Sequence, residues 1–104
     1  MTMFGLKLLR IKKIAEVTTL PEKYVEALLR IYSFKMERGG FFLYNEEYNE
    51  YFHVEITHDG WYLLSRSNKD FEVGRGLYQT QEKEYLCFEI LEVSRVERSR
   101  ICIL

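Results

Sequence analysis

Two histidines, His53 and His58, are the only imidazole bases in the chain. Nucleophilic catalysis needs a serine or cysteine, a base and an orienting carboxylate that converge in space. His53 lies two residues before Glu55, so on a strand the two side chains share a face, and this pair carries the main enzyme hypothesis. His58 directly precedes the turn signal Asp59-Gly60, where solvated polar residues are common. No catalytic constellation is visible around either histidine, so we expect structural or solvated roles and no enzyme activity.

Metal and phosphate sites also lack their usual residue patterns. The two histidines are five residues apart across a strand and a turn, which is not the spacing of a ligand pair. Cys87 and Cys102 have neither CxxC spacing nor neighbouring histidines. Gly74-Arg75-Gly76 is too short for a phosphate-binding loop and predicts a bulge or a bend. We therefore expect no metal and no cofactor.

Charge is distributed unevenly, although the formal net charge is only −1. Residues 1–38 hold eight Lys/Arg and four Asp/Glu, residues 39–80 hold three and seven, and residues 81–104 hold four and five. Between Tyr44 and Asp59 there are five acids and no Lys or Arg. The overall balance excludes a globally basic nucleic-acid binder, and the acidic middle of the chain becomes the first place to look for a partner.

Acidic residues and tyrosines are interleaved in this middle segment. Tyrosine supplies a large contact area at low entropic cost, and fixed negative charge steers a basic partner. The sequence therefore predicts a protein-binding surface. Its candidate residues are Tyr44, Glu46, Glu47, Tyr48, Glu50, Tyr51, Glu55 and Asp59. The alternative is an ordinary aromatic-rich strand followed by an acidic loop that aids solubility.

A second functional hypothesis concerns the basic N-terminal helices, which could serve a small nucleic-acid-binding or regulatory domain. Its cations are Lys7, Arg10, Lys12 and Lys13. They spread around the helix instead of forming one stripe, which favours a solvated face, so nucleic acid is not the expected partner.

Two helices are predicted in the first third of the chain. Apolar residues recur at helical spacing on one face of the first helix. They are Phe4, Leu8, Ile11, Ile14 and Ala15. A second helix is predicted from Pro21 to Glu37, with the apolar stripe Val25, Leu28, Leu29, Tyr32 and Met36. Gly39 and Gly40 are expected to end it.

After Gly40 the period changes to strand alternation, which predicts four antiparallel strands. These are 41–44, 51–57, 61–66 and 71–78, with a polar loop at 45–49 and a turn at 67–70. Asp59-Gly60 predicts a two-residue hairpin loop that pairs Ile56 with Leu63. The expected helix-covered residues are Val54, Ile56, Trp61 and Leu63, and the expected open face carries Tyr51, His53, Glu55, Tyr62, Leu64 and Arg66.

The last segment favours a helix capped by Thr80, with Glu82 and Glu84 in its first turn and Arg95 and Arg98 in its last. Its expected inner face is Leu86, Ile90 and Val93, with Cys87 beside them. A long strand is the alternative, because Leu86, Phe88 and Ile90 also alternate. The apolar tail 101–104 is expected to form a short strand or to fray.

These elements predict one α+β domain spanning residues 1–104, a two-layer fold in which a helix pair packs on a four-stranded antiparallel sheet.

No apolar run approaches the roughly 20 residues of a membrane span, and lysines interrupt any secretory signal, so we expect a cytoplasmic protein with no membrane partner. Buried free thiols are favoured at both cysteines, although their number allows one disulfide. A homodimer through the open sheet face or the apolar tail is compatible with the pattern.

The layout resembles the small immunity proteins of bacterial polymorphic-toxin and contact-dependent growth inhibition systems. A helix pair leads into an aromatic antiparallel sheet, followed by the segment Trp61–Arg66 (Trp-Tyr-Leu-Leu-Ser-Arg) and a capped final helix. The resemblance covers roughly residues 20–95 and is one of element order. It implies a non-catalytic inhibitor that binds one cognate toxin domain, commonly a nuclease, and blocks its active site or substrate access.

Overall fold

A computed structural model describes residues 3–103, with side chains for residues 5–93. Its elements are α1 (Met3–Thr18), α2 (Glu22–Leu29), β1 (Ser33–Glu37), β2 (Gly40–Asn45), β3 (Glu50–Ile56), β4 (Tyr62–Ser67), β5 (Val73–Thr80) and α3 (Lys83–Ile103). The strands form one antiparallel sheet in the order β1-β2-β3-β4-β5. The predicted α+β class is confirmed, with five strands instead of four.

The first helix ends at Thr18, whose side chain completes the hydrogen bonding of the last turn. Thr18 Oγ1 donates a hydrogen bond to the Ile14 carbonyl at 2.7 Å and accepts one from the Leu20 amide at 3.3 Å. Ile11 and Ile14 are buried as predicted, but Leu8 is 42% exposed and does not join them in the core. Among residues 5–18, the core contact of α1 therefore lies in the C-terminal half of the helix.

The second helix is shorter than predicted, and its expected second half is a strand. α2 ends at Leu29, and Gly39, at φ 82°, turns β1 back onto β2. Tyr32 and Met36 are four residues apart, a spacing that places two side chains on one face of a helix and also of a strand. The helical stripe thus extended without a break into β1, and the predicted helix to Glu37 was wrong.

The turn between β3 and β4 has three residues instead of two. The Thr57 amide donates to the Trp61 carbonyl at 2.9 Å, and the Gly60 amide donates to the Thr57 carbonyl at 3.1 Å. Gly60 has φ 89°, the left-handed conformation that closes a three-residue hairpin loop. Thr57 and Trp61 therefore flank residues 58–60, and the predicted two-residue loop was wrong.

The longer turn shifts the register of β4 by one residue and exchanges its two faces. Ile56 pairs with Tyr62 and Val54 pairs with Leu64, so Leu63 points to the side away from the helices, which we call the outer face. The β4 residues predicted for the open face, Tyr62, Leu64 and Arg66, thus lie on the helix-covered side, and Tyr62 and Leu64 are buried. The assignment of Tyr51, His53 and Glu55 to the outer face is correct.

The fifth strand begins at Val73, two residues later than predicted, and its pairing with β4 is irregular. The register shifts twice, between Leu64 and Ser65 and again between Ser65 and Ser67. Gly76 pairs with Ser65 in this stretch, so the strand is irregular near the two glycines, where a bulge or a bend was predicted. Bulges of this kind twist an edge strand and hinder its pairing with another chain.

The final segment is a helix, and the alternative of a strand was wrong. Thr80 Oγ1 accepts a hydrogen bond from the Glu82 amide at 3.0 Å, as expected of its cap. Leu86, Cys87 and Ile90 are fully buried on its inner face. α3 continues to Ile103, so the end of the chain does not form a separate strand as far as the structure describes it. Predictions about the side chains of residues 94–104 lie outside the described part.

Cys87 is a buried free thiol, as predicted. Burial, with a smaller contribution from the charge of Glu84, raises the pKa of Cys87 from 9.0 to about 12. The thiol is therefore protonated at neutral pH and acts as a small apolar core residue. The core itself lies between the helices and the inner face of the sheet. Within residues 3–103 no helix is both long and apolar enough to cross a membrane.

Candidate functional site

The acidic loop, residues 46–49, joins β2 to β3 at one end of the sheet. The Asn49 amide donates to the Glu46 carbonyl at 3.2 Å, and the Tyr48 amide donates to Asn45 Oδ1 at 3.3 Å. Glu46, Glu47 and Tyr48 are exposed. The loop therefore has a defined backbone and directs two carboxylates and one phenol ring into solvent.

Two hydrogen bonds connect the base of this loop to the chain segment between α2 and β1. Asn45 Nδ2 donates to the Ile31 carbonyl at 2.8 Å, and the Tyr32 hydroxyl donates to Glu50 Oε2 at 2.7 Å. Glu50 is only 2% exposed. The structure thus places this predicted binding residue beneath the acidic loop, where its carboxylate supports the loop from inside.

A cleft of about 330 Å³ opens beside the acidic loop at the start of the edge strand β1. It is lined mainly by polar groups of Ser33, Tyr44, Asn45 and Glu46, together with Ile31. An acidic, hydroxyl-bearing cleft next to two exposed carboxylates is suited to a basic or hydrogen-bonding side chain.

Tyr44 and Tyr51 pair with each other on the outer face, close to the acidic loop. Phe71, from the loop between β4 and β5, covers them: its ring centroid lies 5.5 Å from Tyr44, 6.4 Å from Tyr51 and 4.9 Å from Phe42. Lys35 Nζ lies 4.3 Å from the Phe71 centroid. Tyr51 is only 9% exposed, so most of its surface contacts other parts of the protein. Tyr44 is half-buried.

The position of Phe71 is imposed by the β4–β5 loop, residues 68–72. Asn68 Oδ1 accepts hydrogen bonds from the amides of Asp70 at 2.9 Å and Glu72 at 3.1 Å. The Phe71 amide donates to the Asn68 carbonyl at 2.9 Å, and Phe71 itself has φ 62°. Sequence patterns missed this contact because they placed Phe71 at the start of a strand; the only local signal was the turn at 67–70.

Glu55 and Asp59 lie far from the acidic loop. β3 runs from Glu50 to Ile56, about 20 Å at the usual rise of a strand, and Asp59 lies in the turn beyond its far end. Glu55 borders a different groove, of about 440 Å³, on the outer face between β3 and β5. The eight predicted residues thus do not form one surface: Glu46, Glu47 and Tyr48 project together, and Tyr44 borders them.

His53 has a different carboxylate partner from the one predicted. Its Nε2 is hydrogen-bonded to Glu37 Oε1 on β1, and its ring centroid lies 4.5 Å from the ring centroid of Phe42. Ser65 is the cross-strand neighbour of His53, but no hydrogen bond between their side chains appears in the described part of the chain. The contact between His53 and Glu37 therefore joins β1 to β3.

Side chains of residues 5–93 contain no group of three or more His, Cys, Asp or Glu that could hold a metal ion. Comparison of the chain with protein-family models, with curated proteins and with solved structures finds no match. The arguments for function therefore come from the geometry and charge described above.

Proposed function

We propose that the protein is a non-catalytic, protein-binding inhibitor that uses the acidic loop as its contact surface. The observation that supports this most directly is the projection of Glu46, Glu47 and Tyr48 from a base held by one buried and one partly buried hydrogen bond. A pre-ordered loop loses little conformational entropy on binding, and an exposed tyrosine is a common interface anchor. The cleft beside Glu46 would accept a basic side chain of the partner.

The partner we propose is a cognate toxin domain with a basic surface, such as a nuclease. The layout resembles bacterial immunity proteins, and the segment between Tyr44 and Asp59 contains no Lys or Arg. In this proposal the overall charge of −1 does not steer the partner toward the protein. Local negative charge at the acidic loop would raise the association rate of a basic partner instead. Such an inhibitor would act in the cytoplasm, before the toxin reaches its substrate.

The test begins with a tagged full-length chain used to capture its partner from the native lysate, followed by kinetics with the purified partner. We expect E46Q/E47Q to lower kon severalfold at low salt and to flatten its salt dependence. Y44A/Y48A should raise koff by about tenfold or more. E16Q/E22Q is the matched control, because it removes two exposed acids from the helices.

Unchanged kinetics in both loop variants would contradict the acidic loop as the contact surface. Capture of nucleic acid alone would instead favour the second candidate function, in which the exposed cations of α1 bind phosphates. That function predicts affinity that falls steeply with salt and is lost in K12Q/K13Q but not in E46Q/E47Q.

A further inference from the structure

The two edge strands of the sheet, β1 and β5, differ in regularity. β1 pairs with β2 over all five of its residues without a register shift, whereas the pairing of β5 with β4 shifts twice. An irregular, twisted edge is a poor template for another strand, and a regular edge is a good one. β1 is therefore the edge to which a further strand can be added.

The register of the sheet determines which backbone groups of β1 point outward. In an antiparallel sheet the amide and carbonyl of one residue point to the same side, and successive residues alternate. The Ile56 amide donates to the Gly39 carbonyl at 2.8 Å. The adjoining pair, Gly40 and Glu55, is therefore a non-hydrogen-bonded pair, so the backbone groups of Gly40 face β1.

The same alternation leaves two residues of β1 with outward backbone groups. Gly40 is the partner of Glu37, so the odd-numbered residues of β1 are the ones that exchange hydrogen bonds with β2. Phe34 and Met36 therefore point two amides and two carbonyls away from the sheet. No hydrogen bond to any of these four groups is found within the described part of the chain. We call these four groups the β1 edge.

The acidic cleft described above lies at the start of the β1 edge. Ser33, the first residue of β1, lines this cleft together with Glu46. Ser33 pairs with Tyr44, so its side chain lies on the outer face. A strand added along β1 carries a side chain beside Ser33 on that face, where a lysine or arginine would reach toward Glu46. Backbone hydrogen bonds and an adjacent side-chain pocket are the two components of recognition by strand addition.

Lys35 disfavours a second copy of the chain as the occupant of the β1 edge. In the antiparallel self-pairing that uses all four outward groups, Phe34 pairs with Met36 of the other copy. Lys35, which is exposed, then falls directly opposite Lys35 of the other copy. Like charges in that position destabilise a strand pair. A different chain that carries an acidic or neutral residue opposite Lys35 avoids the repulsion.

We propose that an extended segment of the basic partner adds to β1 as a sixth strand and places a lysine or arginine in the cleft beside Glu46. The inference rests on the proposed function, because this partner is the one that the acidic loop binds. The contact surface then runs without a break from the acidic loop through the cleft to the β1 edge. Pairing through the backbone also fixes the orientation of the partner, which charge attraction alone does not.

Binding of Met36→Pro and Met36→Val to the purified partner tests the added strand. Proline removes the outward amide, and its ring occupies the space of the added strand, so we expect Kd to rise by about 30-fold or more. Valine keeps the amide and should change Kd by less than about threefold. Proline is tolerated on an edge strand where the missing amide faces solvent, and thermal melting of both variants checks that they fold.

Amide exchange in the wild-type chain gives a second test, and it decides the question if M36P does not fold. Measured residue by residue by NMR, the amides of Phe34 and Met36 should exchange at least about tenfold more slowly in the complex than in the free protein. The amides of Lys35 and Glu37, which pair with β2, should be protected in both states.

A folded M36P variant that binds the partner as tightly as M36V, or unchanged exchange of the Phe34 and Met36 amides in the complex, overturns strand addition. The proposed function survives that result if E46Q/E47Q still lowers kon. Failure to capture a protein partner, or unchanged kinetics in both loop variants, removes the proposed function and this inference with it. A dimer of the protein alone in sedimentation velocity that M36P abolishes would assign the β1 edge to self-pairing and would also overturn the proposal.

Discussion

The acidic loop and the β4–β5 loop leave the same end of the sheet and are built with the same backbone devices. In each, an asparagine side chain accepts a hydrogen bond from a loop amide: Asn45 in the first, Asn68 in the second. Each also holds a residue other than glycine in the left-handed region, Asn49 at φ 55° and Phe71 at φ 62°. Their aromatic side chains nevertheless go to different places, since Tyr48 stays exposed and Phe71 packs onto the outer face.

This difference shows that loop backbone geometry alone does not decide whether an aromatic residue is available to a partner. Phe71 packs against Phe42 on β2 and Tyr51 on β3, and these two rings would otherwise face water. The acidic loop turns out from the end of the sheet above a buried, hydrogen-bonded carboxylate, Glu50. The first loop therefore presents its side chains, and the second uses its aromatic ring to complete the fold.

The largest expected effect concerns the hydrogen bond beneath the acidic loop. Tyr32→Phe removes a donor to the buried Glu50 carboxylate, and we expect a loss of about 2–3 kcal/mol in the free energy of unfolding, measured in urea. The control is Tyr44→Phe, whose hydroxyl makes no hydrogen bond within residues 5–93, and it should change stability by less than about 0.5 kcal/mol. Similar values for the two variants would mean that the acidic loop does not depend on this buried bond.

The next effect concerns the aromatic contacts of Phe71. Phe71→Ala removes a half-buried ring that contacts three others, and we expect a loss of about 2 kcal/mol in the free energy of unfolding. Tyr48→Ala, in the acidic loop, should cost clearly less, because Tyr48 is 37% exposed and none of the three rings that Phe71 contacts packs on it. Equal losses would remove the distinction between the two loops.

A smaller effect separates backbone strain from side-chain contacts. Phe71→Gly loses the same ring as Phe71→Ala but takes φ 62° without steric cost, so it should be the more stable of the two by about 1 kcal/mol. In the acidic loop, Asn49→Gly should equal or exceed wild-type stability, and Asn49→Ala should lose about 1 kcal/mol. Thermal melting of the four variants tests both pairs. Alanine variants that are as stable as the glycine variants would show that the backbone is not strained at positions 49 and 71.

The smallest effect is expected from the exposed acids. E46Q/E47Q should change the free energy of unfolding by less than about 0.5 kcal/mol, because both side chains are solvated. A loss of about 2 kcal/mol, seen in the same urea titration, would show that these carboxylates support the fold and would weaken the case that they serve a partner.

Much of the fold follows from local patterns. Three predictions that rested on local sequence signals are confirmed by the structure. They are the burial of Ile11 and Ile14 on α1, the helix cap at Thr80, and the alternation of Phe52 and Val54 on β3. β1 escaped prediction because a four-residue spacing between apolar side chains satisfies a helix and a strand equally. Turns of two and of three residues around Gly60 likewise look the same in sequence. The choice between them decides which face of the sheet each β4 side chain occupies.

For the candidate site, the residue types were predictable and their grouping was not. The run of acids and tyrosines from Tyr44 to Tyr51 is visible in the sequence, but the burial of Glu50 requires Tyr32, which lies eighteen positions away. The hydrogen bond between His53 and Glu37 joins β1 and β3, the two strands that flank β2.

Composition and local periodicity determined the α+β class, the strands β2 to β5, the capped α3 and the acidic character of the middle segment. Tertiary structure alone decided which acids reach solvent, which rings are covered by Phe71 and which apolar residues of α1 stay exposed. The physical reason is that propensity and periodicity act between residues a few positions apart. Burial is set by elements that meet only once the sheet and helices have packed.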